Sequence, residues 1–191
     1  MRTARDRIGD GIALLCRDAL ARRAFRAMNE AVAQRNPDIA APAWRPFQLA
    51  FILLNLVGLA DKRHPDREVV DLLFFPTGGG KTEAYLGLAA WTIAHRRLSN
   101  GGVLGAGVAV LMRYTLRLLT LDQLARAAGV ICALELMRDE SDWIDNGRRL
   151  LGDWPIEIGR TGSAGRGTRD RSPLSEKCED FVRIERKRPR P

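Results

Sequence analysis

Apolar residues recur at helical spacing through the first 35 positions: Ile8, Ile12, Leu15 and Ala19, then Phe25, Met28 and Val32. That period predicts one helix or two over residues 3–35. Pro37, Pro42 and Pro46 end the region and make a loop. From Phe47 to Leu59 the run FQLAFILLNLVGL is apolar nearly all round, which predicts a buried helix. DKRHPD, residues 61–66, then reads as a polar linker.

The period changes at Val69–Phe75, VVDLLFF. It is β-branched and aromatic, as a strand buried on both faces would be. Three glycines interrupt it, and Thr82–Leu98 reads as a helix. A second strand is expected at Gly107–Met112, GVAVLM, and a further helix over 120–138, with Leu121, Leu124, Ala128, Ile131, Leu134 and Met137 as its stripe. Strand–helix–strand–helix order implies an α/β fold, a parallel sheet with crossover helices. After Ile158 the chain turns rich in Gly, Arg, Ser and Pro. Such a segment buries too little to offset its ordering entropy, so a disordered basic tail is expected over 159–191. The expected division is a helical region at 1–43, a phosphate-loop domain at 44–158 and the tail.

Charge adds a direction. The formal net charge is +8, and Arg far outnumbers Lys. A basic balance favours partners that carry phosphate, nucleic acid first. Three scattered cysteines and two isolated histidines suggest no metal cluster. The start lacks a signal-peptide core, and the longest apolar run, Leu49–Ala60, is too short to span a bilayer. The expected compartment is the cytoplasm, with no membrane partner.

The chemistry lies in PTGGGKT, Pro76–Thr82. Gly78, Gly79 and Gly80 let the backbone turn tightly, so that N–H groups face phosphate oxygens. The following helix offers its positive end. In a phosphate loop Lys81 reaches the β- and γ-phosphates, and the Thr82 hydroxyl faces Mg²⁺. The strict pattern asks for glycine at position 75, where this chain has Phe75. The expected cofactors are ATP and Mg²⁺.

Pro-Thr-Gly-x-Gly-Lys-Thr resembles motif I of superfamily 2 helicases, which adds Thr77 to the nucleotide-binding set. WRPFQ, Trp44–Gln48, resembles the Arg-Pro-x-Gln element of many such helicases, which implies that Gln48 contacts adenine. Gly107–Gln123 resembles motif Ia, which implies that Arg113, Thr115 and Arg117 grip the DNA backbone. The resemblance also implies a partial RecA-like domain. Across residues 24–138 the chain resembles the helicase subunit of the DISARM anti-phage system. That implies translocation along DNA in phage defence, with other subunits of a defence complex as partners.

A complete helicase of this kind needs an Asp-Glu motif II and a second domain with arginine fingers. Asp139–Glu140 ends an amphipathic helix and is rejected as motif II. IGRTGSAGRG, Ile158–Gly167, resembles an arginine-finger motif but lies too near Lys81 for a second domain to intervene. The expectation is a chain truncated after motif Ia and not catalytically complete alone. Two readings stay open beside it: a small P-loop kinase, and a non-enzymatic basic nucleic-acid-binding fragment.

Overall fold

The computed structural model describes residues 2–35, 42–76, 78–113 and 117–159, with the side chains of 117–121 outside the description. The expected tail over 159–191 lies outside it from position 160 onward. Five α-helices carry the fold: α1 (Ala4–Arg17), α2 (Ala19–Gln34), α3 (Pro46–Ala60), α4 (Lys81–Ser99) and α5 (Arg117–Met137).

Local chemistry sets their ends. Thr3 caps α1 in a reciprocal box with Asp6. The single residue Asp18 ends α1 and starts α2, its carboxylate accepting from the N–H groups of Leu20 (2.8 Å) and Ala21 (3.0 Å). The first 35 residues are therefore two helices. Pro46 stands in the first turn of α3, where its missing N–H costs nothing.

The buried faces differ from the expected stripe. Helix α2 buries Ala21, Ala24, Ala27, Met28 and Ala31, whereas Ile12 of α1 is exposed. Small side chains let α2 lie close against α4, which presents Ala90, Trp91 and Ala94. The Trp91 indole N–H donates to the Ala21 carbonyl at 3.2 Å. Helix α1 packs on α3 in the same way, with Gly11 against the Leu53 carbonyl. Helix α5 covers α2 and α4 with Ile131, Leu134 and Met137.

The expected partial RecA-like P-loop domain, a parallel sheet with crossover helices, is overturned. Among the described residues the sheet is one antiparallel pair, β1 (Ile144–Asp145) and β2 (Arg148–Arg149). An Asn146–Gly147 turn joins its strands, with both residues at positive φ, as a two-residue hairpin requires. Val69–Phe75 and Gly107–Met112 form no ladder. Their composition suits strands, but pairing needs a partner strand, and among the described residues neither segment meets one, leaving Val70, Leu72, Phe74, Val108 and Leu111 exposed.

Val69–Phe75 is nevertheless anchored. The Arg7 guanidinium grips Asp71 as a fork, at 2.6 and 2.7 Å. This bond raises the Arg7 pKa above its usual value. Arg96 of α4 likewise donates to the carbonyls of Val108 (2.8 Å) and Ala106 (2.6 Å). Arg97 donates to the carbonyls of Trp154 and Pro155, and Arg138 to those of Gly152 and Trp154. These two arginines fasten the segment after the hairpin to α4 and α5.

Two outcomes test this packing. Gly11→Ala would drive a methyl group into the α3 backbone, and should cost about 1–3 kcal/mol in urea denaturation. Gly9→Ala, in the same helix with open space around it, should instead gain about 0.5–1 kcal/mol. The second concerns His95, stacked on Trp91 with centroids 4.6 Å apart. Burial lowers its pKa below the ordinary 6.5. Below that pH the unfolded chain takes up a proton that folded His95 resists. Stability should be fully present above about 6.5 and fall as pH drops through the window beneath it. His95→Gln should flatten that part of the melting-temperature profile.

Candidate nucleotide-phosphate site

Residues 78–80 bring the chain onto the N-terminus of α4. Gly78 and Gly80 sit at φ 80° and 87°, a left-handed geometry that side chains resist. Gly80 caps the helix with no side-chain bond of its own. The first turn of α4 therefore presents main-chain N–H groups.

Two side chains from the start of α3 fix the loop's direction. Arg45 donates to the Gly79 carbonyl at 2.8 Å. Gln48 donates through Nε2 to the Gly80 carbonyl, also at 2.8 Å. In a trans peptide the N–H points opposite to the C=O. Holding these two carbonyls therefore turns the N–H groups of Gly80 and Lys81 to the other side of the loop. Gln48 is buried, and its Oε1 accepts from the Arg45 N–H at 2.8 Å. Both ends of its amide are engaged within the protein.

Lys81 lies at the first position of α4, and its ammonium donates to the carbonyls of Phe75 and Pro76. The Phe75 ring stacks on Phe47 of α3, with centroids 3.9 Å apart. Phe75, where the strict motif has glycine, thus ties the loop to α3. Gly79 is needed because a Cβ there would collide with the Phe75 ring. Thr82 is half-buried in the first turn of α4.

Beside the loop lies a cleft of about 960 Å³, bordered by Trp44, Arg45, Gln48, Gly80, Glu83 and Arg126. Glu83, on the first turn of α4, is bound by Arg35 at the end of α2 and by Arg126 of α5. The Trp44 indole N–H donates to Asn29 at 2.7 Å, and its ring covers Gly87.

Gln48, Gly78, Gly79, Gly80, Lys81 and Thr82 are thus brought together at one helix end. Thr77 lies outside the described residues. Of the expected DNA-contacting residues, Arg113 is exposed, Thr115 lies outside the description, and Arg117 opens α5 without a described side chain. Asp139, from the rejected acidic pair, is exposed and bound by Arg149 at 2.7 Å. The sequence reading missed Arg45, Glu83 and Arg126. Glu83 follows Lys81 by two positions in the first turn, where an acidic residue suits the helix dipole, and that spacing was the available signal.

The donor set fits a nucleotide phosphate with Mg²⁺. It offers directed N–H groups, one ammonium and one hydroxyl. Among the described residues no group of three or more His, Cys, Asp and Glu side chains could hold a metal by itself. A bound Mg²⁺ here would take its remaining ligands from phosphate and water. Among the described residues no helix is long and apolar enough to cross a membrane.

Over 115 residues the chain is 51% identical to the DISARM protein DrmA of Bacillus paralicheniformis. The match covers 58% of this chain and 10% of that protein. Identity of that size over that length makes the two segments homologous, although this chain spans only about a tenth of its relative's length. No family model and no solved structure matches the chain.

Glu83 ties together three helices at the cleft. Removing it leaves Arg35, largely shielded from water, without its carboxylate partner. Glu83→Ala should lower stability by about 2 kcal/mol, read as a shift of the urea midpoint.

Proposed function

We propose that this chain is the ATP-binding portion of an ATP-dependent DNA helicase or translocase of superfamily 2 type, acting in phage defence with other DISARM subunits. The observation that carries the reading is the glycine loop on α4, with the Gly79 and Gly80 carbonyls held back by Arg45 and Gln48. Homology to a DISARM protein supports the defence role. The PTGGGKT form and the WRPFQ element support the helicase class.

In this reading the loop N–H groups and Lys81 hold the phosphates, and Thr82 faces Mg²⁺. Lys81 first releases the Phe75 and Pro76 carbonyls, exchanging two neutral acceptors for a charged one. Thr77 completes the nucleotide-binding set. The base lies in the cleft beside Gln48, whose main work is to orient the loop. Arg113, Thr115 and Arg117 bind the DNA backbone, which the net charge of +8 favours. Hydrolysis and movement belong to the assembled protein.

Calorimetric titration with Mg–ATP tests the proposal. The wild-type chain should bind, and Lys81→Ala should weaken binding at least tenfold, about 1.4 kcal/mol. Gln48→Ala should weaken it less, by loosening the loop. Duplex DNA should bind in a salt-dependent way. A folded wild-type chain that ignores Mg–ATP would sink the nucleotide reading.

A further inference from the structure

Arg126 of α5 and Arg35 at the end of α2 both bind Glu83, each on a different carboxylate oxygen. The junction therefore sets two guanidinium groups against one carboxylate. Arg45, on the same cleft, adds a third cation, and its contact is a neutral carbonyl. Glu30, the other acid bordering the cleft among the described residues, is already matched by Arg26. Positive charge is thus in excess around the cavity.

The two partners of Glu83 differ. The Arg35 side chain is only 10% exposed, and its stem lies so close to Gly129 that a Cβ there would meet its Cγ at 2.9 Å. Its Nη1 is enclosed and has no hydrogen-bond partner. Arg126 is 35% exposed and spends Nη2 alone on Glu83. Its remaining donors reach water and have no partner among the described residues. A guanidinium held by one edge presents the other in a fixed direction, where a phosphate can accept two parallel bonds with little ordering cost. We propose that the cleft carries a second anion site, centred on Arg126, that takes a phosphate group. Glu83 orients the guanidinium, and Arg35 keeps Glu83 in place. Val32, Ala33, Trp44 and Ala125 border the rest of the cleft and give the body of the ligand an apolar wall. At about 960 Å³ the cleft has room for this group beside a nucleotide base. The loop N–H groups of Gly80 and Lys81 face the other side, so the two phosphate positions are separate. The inference does not depend on nucleotide binding at the loop.

Thermal unfolding with inorganic phosphate, against chloride at equal ionic strength, tests the site. It is run on Lys81→Ala, which silences the loop. Phosphate should still raise the melting temperature in that background. Adding Arg126→Gln should weaken the apparent affinity about tenfold, the size of one lost charge-assisted hydrogen bond. Arg126→Lys keeps the charge without the fork and should weaken it about threefold; it carries the test alone if circular dichroism shows that the Gln variant does not fold. Arg63→Gln, an exposed arginine beyond the far end of α3, should change nothing. A single-stranded oligonucleotide with the same dependence on Arg126 would place the phosphate on a nucleic-acid backbone, and dependence for inorganic phosphate alone on a small ligand; either supports the site. The proposal is overturned if phosphate gives no shift, if Arg126→Gln and Arg126→Lys bind like their parent, or if Arg63→Gln loses as much. A tenfold gain in Asp38→Asn would overturn it too, in favour of the chain's own carboxylate as the occupant.

Discussion

The close approach of α2 to α4 is the constraint on which the rest depends. It exists because α2 offers alanine at four of its five buried positions, and α4 answers with Ala90 and Ala94 around one large ring. Trp91 fills the space that small residues leave, and its N–H finds the Ala21 carbonyl. An indole buried without that acceptor would cost about 1–3 kcal/mol. With its body fixed in this way, α4 delivers its N-terminus to one place. Arg45 and Gln48 of the neighbouring helix can then reach the loop in front of it.

The loop and the extended segment before it share their supports. Phe75 is both the last residue of segment 69–75 and the ring that stacks on Phe47. Its carbonyl receives the Lys81 ammonium. The Arg7–Asp71 fork fixes the same segment four positions earlier. Contacts that shape the glycine loop therefore also hold Val70, Leu72 and Phe74 outward. Three large apolar side chains held in water are a liability, since they invite association.

What the sequence made legible was local. Helices announced themselves through period and capping, so 82–98 was read within a residue at each end of Lys81–Ser99. The glycine turn before α4 was legible for the same reason, because positive φ and helix start are decided by nearby residues. The parallel sheet was not, because pairing depends on a partner distant in sequence, and VVDLLFF looks the same with or without one. The buried stripe was misread where large residues were preferred: Ile12 faces water, while Arg7 and Gly11 face α3 and its surroundings. The Asn146–Gly147 hairpin was readable from its dipeptide and was overlooked.

Gln48 has a structural role that its residue type alone does not announce. Its pattern with Arg45 and Pro46 pointed outward, to a ligand. In the structure its amide also makes two inward bonds, accepting from the Arg45 N–H and donating to the Gly80 carbonyl. A buried amide satisfied at both ends is rigid, and rigidity at this point is inherited by the loop. Arg45 does the same for Gly79. The Arg-Pro-x-Gln spacing follows from geometry: proline starts α3, arginine precedes it, and glutamine returns one turn later on the same side. Both side chains then meet consecutive carbonyls of a loop more than thirty residues away.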